Sequence, residues 1–187
     1  MTLRTILLAA ALLMGSITTA QSEEINIQLG DDTARFMYLT EAFGQNFGRL
    51  ELEMGFLYNE NSDSLINVGL LVRGESVSVP LVVSMGIRAY FADLDPYTVG
   101  ALAIGGDLLL APESWGGLGL GAFYFTAPSV VSFSDAEDLT EYGVYLSFQL
   151  SPQASIVGGF KHIEASIENV GDIDIEDGAY FGLTLSF

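Results

Sequence analysis

The sequence contains no cysteine, one histidine and one tryptophan, and only 6 Lys and Arg stand against 24 Asp and Glu. Without cysteine there is no disulfide, no thiol nucleophile and no residue for lipoprotein anchoring. A single histidine excludes a His pair, so no conventional zinc ligand set is expected and no cofactor is assigned. The formal net charge of −18 argues against a nucleic-acid partner and against a basic patch on anionic lipid. Long apolar runs are also missing. The run Ile6 to Met14 is too short to cross a bilayer as a helix.

What is present near the N-terminus has the form of a secretion signal. Arg4 supplies a short positive region, Ile6 to Met14 the apolar region, and Gly15 to Ala20 a small-residue stretch. Residues 1–20 are therefore expected to be removed after Ala20, leaving 21–187 as one domain of about 167 residues.

Half of all residues are apolar. With no hydrophobic helix to hold them, they must be spread along strands, and the sequence shows this as period-two alternation. Leu50, Leu52, Met54, Phe56 and Tyr58 alternate with Glu51, Glu53 and Gly55. Ile66, Val68, Leu70 and Val72 alternate with Asn67, Gly69 and Arg73. Met85, Ile87 and Phe91 alternate with Gly86, Arg88 and Tyr90, and Tyr142, Val144, Leu146 and Phe148 with Glu141, Gly143 and Tyr145. A soluble sandwich would place Lys, Glu or Thr outside. Here the second face is Gly, Ser and a few charges, which suits a narrow lumen behind a lipid-facing belt.

Strands are expected near 24–30, 34–41, 47–59, 64–73, 78–91, 97–110, 117–126, 139–150, 154–166 and 178–187. The fold class is all-β: a transmembrane antiparallel up-and-down barrel of ten strands. Eight is the alternative, because the first strand is short and the second alternates poorly. Long acidic connections (59–63, 92–96, 127–138, 167–177) are expected to alternate with tighter ones, as external loops alternate with periplasmic turns. The last strand carries Phe181, Leu183, Leu185 and Phe187 on one face. A closing strand ending in Phe resembles the C-terminal signature of bacterial outer-membrane barrels, which implies that these residues serve as an assembly signal.

The segments Gly86-Ile-Arg-Ala-Tyr-Phe91, Phe123-Tyr-Phe-Thr-Ala-Pro-Ser129, Gly159-Phe-Lys-His-Ile163 and the terminal Gly178 to Phe187 resemble the YfaZ family of outer-membrane proteins. The resemblance implies a small outer-membrane barrel and carries no catalytic motif.

The residues with chemistry to offer are charges on the inward faces of their strands: Glu51, Glu53, Arg73, Arg88, Asp107, Glu141 and Lys161. Arg or Lys facing lipid would cost about 2–4 kcal/mol at midplane, so these belong in the lumen, where opposite charges should pair. His162 is expected at the membrane interface beside Phe160, and it lies in no nucleophile-elbow motif. The acidic clusters Asp135, Glu137, Asp138 and Asp172, Asp174, Glu176, Asp177 read as solvated loops without EF-hand spacing. Phe91, Tyr97, Phe123, Tyr124, Phe125 and Tyr142 read as an aromatic girdle.

The expected role is structural or interactive: a monomeric barrel in the bacterial outer membrane with a charge-filled lumen and acidic loops. Its expected partners are outer-membrane lipid, lipopolysaccharide and the barrel assembly machinery. A narrow channel for small solutes is the alternative. A membrane-embedded hydrolase or acyltransferase, or a secreted soluble β-protein, are further classes.

Overall fold

The computed structural model describes residues 23–45, 48–76, 79–168 and 170–187; the expected signal segment 1–20 lies outside them. Alternation becomes strand almost throughout. The strands are β1 (Glu23–Gly30), β2 (Thr33–Gln45), β3 (Gly48–Asn59), β4 (Ser64–Glu75), β5 (Leu81–Leu94), β6 (Tyr97–Leu110) and β7 (Leu118–Ala127). A three-residue β8 (Ser132–Ser134) follows, then β9 (Ala136–Ser151), β10 (Ala154–Ile167) and β11 (Gly171–Ser186).

Every pairing is antiparallel. Each long strand pairs with the next along the chain, β7 passing over β8 to β9. β11 returns to β1 from Glu24↔Ser186 to Gly30↔Tyr180, which closes a barrel of ten strands. β8 adds only three pairs to the end of β6. The eight-strand alternative is thereby removed, since β1 and β2 each pair with a strand on both sides. β2 alternates poorly in sequence because its inward face carries Met37 and Leu39 as well as Arg35. Closure satisfies the backbone groups that an edge would leave bare, a requirement in lipid.

The outward face is an apolar belt to which every long strand contributes: for example Leu29, Phe36, Phe56, Leu70, Met85, Ile104, Leu120, Val144, Phe160 and Phe181 are all exposed. Phe181, Leu183, Leu185 and Phe187 lie on this face, while Tyr180 and Gly182 are buried within. The girdle expectation needs correction. Phe91, Tyr124 and Tyr142 face out, but Phe125 is buried in the lumen, Phe123 lines a luminal cavity and Tyr97 packs on the interior core. Three consecutive residues of a strand cannot share one face.

The two ends of the barrel differ in charge and not, as expected, in connection length. Two-residue turns occur at both: Asp95-Pro96 at one end and Pro152-Gln153 at the end that holds the termini. The acidic stretches expected to be loops are largely strand, because β9 and β11 start at Ala136 and Gly171. Charge does separate the ends. Asp31, Asp32, Glu60, Asp63, Asp95, Asp135 and Glu168 sit in connections at the end away from the termini.

Candidate functional site in the lumen

Inside the acidic end the lumen is filled by apolar side chains. Leu57, Leu65, Val99, Leu139, Ile163 and Ile175 belong to one buried cluster, most of them without accessible surface. They come from six strands, each near its acidic-end terminus. A barrel of this size can be closed by side chains alone, and here it is.

Next to this plug lies a ring of hydrogen-bonded charge. Arg88 on β5 donates through Nη2 to Glu53 Oε2 and through Nη1 to Glu141 Oε2, both at 2.8 Å. Arg35 on β2 donates through Nη1 to Glu141 Oε1 at 2.6 Å and through Nη2 to Asn67 Oδ1 at 3.1 Å. Asn67 Nδ2 donates to Glu53 Oε1 at 2.6 Å, which completes the circuit. Tyr90 donates its hydroxyl to Glu141 Oε2, and the Arg88 guanidinium lies 3.8 Å from the centroid of the Phe125 ring. The ring is neutral, two guanidiniums to two carboxylates, and all five members are buried. A buried charge is tolerated when its partners satisfy it, and it becomes costly when one partner is removed.

A second buried pair stands beside the ring. Lys161 Nζ lies 2.9 Å from Glu176 Oε2 and donates to Gln28 Oε1 at 2.8 Å, while Thr33 Oγ1 donates to Glu176 Oε1 at 2.6 Å. Glu176 reaches the lumen through a break in register between Ile163↔Glu176 and Glu164↔Asp174. This bulge in β11 turns the consecutive residues Ile175 and Glu176 both inward. Glu176 is therefore a luminal residue, which corrects its assignment to a solvated loop.

From the ring toward the termini the lumen holds a cavity of about 310 Å³. Glu24, Glu51, Arg73, Asp107 and Ser186 line it, and a smaller space of about 180 Å³ adjoins it at Glu24, Arg49, Glu51 and Arg73. Arg73 Nη1 and Glu51 Oε1 are 3.7 Å apart, and the Tyr145 hydroxyl donates to Asp107 Oδ2 at 2.9 Å. Tyr145 stands in register with Gly121 on β7 and Gly159 on β10. A Cβ at Gly121 would fall 2.1 Å from the Tyr145 ring. Gly121→Val should therefore displace Tyr145 from Asp107 and lower stability by about 1–3 kcal/mol, read as a shift of the urea unfolding midpoint. A variant that unfolds with the wild type would show that the ring does not lie over Gly121.

All seven charges singled out from the sequence thus face the lumen, but the structure divides them. Glu53, Arg88 and Glu141 join the ring, Glu51 and Arg73 line the cavity mouth, Asp107 bonds to Tyr145, and Lys161 pairs with Glu176. Sequence reasoning missed Arg35, Asn67, Tyr90 and Glu176 as site members. Asn67 and Tyr90 were visible as residues on the inward face of their strands. Arg35 was masked by the weak alternation of β2, and Glu176 by the bulge. His162 faces outward with its side chain 18% exposed, apart from the luminal groups, with its ring 5.1 Å from that of Tyr142.

Three solved structures are similar to the chain at low identity. A membrane protein solved in work on in-meso crystallization is 13% identical, with a TM-score of 0.48 and coverage of 89% of this chain and 83% of the other. The NanC porin is 10% identical, with a TM-score of 0.40 and coverage of 90% and 99%. The Acinetobacter baumannii outer membrane protein Omp33 is 11% identical, with a TM-score of 0.36 and coverage of 89% and 97%. At such values none of them lends an activity to this chain. No curated protein matches it significantly. The model of the family described as YfaZ precursor matches residues 3–187, and the chain belongs to that family.

Proposed function

We propose that this chain is a non-conducting barrel of the bacterial outer membrane with a structural or interactive role. The observation that carries the reading is the double closure of the lumen: the neutral ring around Arg88 and Glu141, backed by the apolar plug from Leu57 to Ile175. In this reading residues 1–20 direct export and are removed. The face of Phe181, Leu183, Leu185 and Phe187 presents the closing strand to the barrel assembly machinery, and the acidic end points outward among lipopolysaccharide. The barrel acts as a monomer, and no enzymatic role is proposed.

The cavity on the terminus side favours one second reading, a narrow channel for small solutes that conducts when the ring parts. Planar-bilayer recording of the purified protein distinguishes the two. The expected result is a silent membrane under steady voltage. Reproducible single-channel steps from the wild type would overturn the non-conducting reading in favour of the channel.

A further inference from the structure

The bulge that turns Glu176 inward has a second effect on the outer face. With Ile175 and Glu176 both pointing in, Asp174 and Asp177 are both left pointing out, on the two sides of His162. Without the extra residue, positions three apart on a strand would lie on opposite faces. Glu164, two residues along β10 from His162, shares the same face.

The resulting arrangement has two distinct sides. Nε2 of His162 lies 3.6 Å from Glu164 Oε2 and 3.7 Å from Asp174 Oδ1. These three donor atoms all fall within 4.8 Å of one another. Four donors placed tetrahedrally at about 2.0–2.2 Å from a zinc ion stand roughly 3.3–3.6 Å apart. The two separations from Nε2 already nearly match, and the Glu164 and Asp174 oxygens must draw together to close on a metal. The other ring nitrogen, Nδ1, lies 3.3 Å from Asp177 Oδ1. A metal-bound histidine characteristically donates its second N–H to a carboxylate, which fixes the tautomer and the ring plane.

Among the described residues the surroundings supply no competing cation. The basic side chains among the described residues are Arg35, Arg49, Arg73, Arg88 and Lys161. Arg35, Arg88 and Lys161 are committed inside the lumen, and Arg49 and Arg73 line the space at the terminus end. Three carboxylates therefore converge on one imidazole at the edge of the apolar belt, where Phe160 is exposed two residues away.

We propose that His162 Nε2, Glu164 and Asp174 bind a divalent transition metal of the zinc type, with Asp177 as the positioning residue on Nδ1. An imidazole nitrogen with two carboxylates suits Zn²⁺ or Co²⁺ better than Mg²⁺ or Ca²⁺, which take oxygen ligands. Three protein donors leave a fourth position open on the barrel exterior, for water or an anionic oxygen.

The test uses the full chain folded in detergent and titrated with Zn²⁺ by calorimetry, with Co²⁺ absorption as a second readout. The wild type should bind one Zn²⁺ saturably in the presence of excess Mg²⁺, and should give a Co²⁺ visible band that Zn²⁺ abolishes. His162→Gln should lose both signals. Asp177→Asn should weaken binding by about 10–100-fold. Asp135→Asn, an acidic residue of the same end outside the set, should bind as the wild type does. Heat-modified mobility on gels confirms that each variant is folded. Absence of saturable binding by the wild type, or equal binding by His162→Gln, would overturn the proposal, the latter assigning the metal to diffuse acidic charge. Bilayer recording is independent of this result, so failure of the metal site and failure of the non-conducting reading remain distinguishable.

Discussion

Arg88→Met should destabilise the folded barrel by about 3–5 kcal/mol, the loss typical of removing one partner from a buried ionic network. Arg88 is the cation shared by Glu53 and Glu141, and its side chain is 6% exposed. Its removal changes the ring from neutral to negative. Glu53 then keeps only Asn67, and Glu141 keeps Arg35 and Tyr90. The methionine fills the space beside Phe125 but donates nothing. Adding Glu141→Gln to Arg88→Met restores neutrality, with Arg35 facing the new amide and linked to Glu53 through Asn67, so the double variant should recover part of the loss. That positive coupling is the signature of a pair acting together. The measurement is urea unfolding followed by the fluorescence of Trp115. A single-variant loss below about 1 kcal/mol would match a solvated ion pair and would place the ring in an open, wet lumen.

The second large effect concerns the outer face. Ile104, near the centre of β6, is 65% exposed and points away from the lumen. Ile104→Arg should reduce the free energy of folding into lipid vesicles by about 2–4 kcal/mol if the side chain meets the bilayer midplane. The same change on a water-facing surface is worth roughly half a kcal/mol or less. Val130→Arg, at an 85% exposed position in a turn at the acidic end, supplies that reference within one protein. Equal stability of the two variants would mean that the apolar belt faces water, and the secreted soluble alternative would return.

The fold was legible because period two is enforced at each residue separately. An apolar exterior and a crowded lumen impose opposite demands on neighbouring side chains, so Met54, Phe56 and Tyr58 declare one face while Glu51, Glu53 and Gly55 declare the other. The inward charges were legible for the same reason. Where both faces carried apolar groups, as at Met37 and Leu39 in β2, the signal faded and Arg35 went unrecognised. Where the period slipped, as at Ile175 and Glu176, residues were placed in the wrong element. Strand ends were obscured by acidic residues, since Asp172 and Asp174 read as loop although β11 already runs through them. Charge is expected of any strand that extends past the hydrocarbon band.

The sequence by itself determined that the chain makes a barrel, which face of most strands points outward, and which charges must lie within. Those properties follow from local alternation and from the cost of charge in hydrocarbon. Tertiary structure alone decided who meets whom. Arg35 and Glu141 stand 106 positions apart in the chain, and only the register around the closed sheet brings them to 2.6 Å. The same registers decide that the lumen is stopped at the acidic end and hollow at the other. One bulge sends Glu176 to Lys161 and sets Asp174 and Asp177 on either side of His162. Register is a property of strand pairs and of closure, and no single strand encodes it.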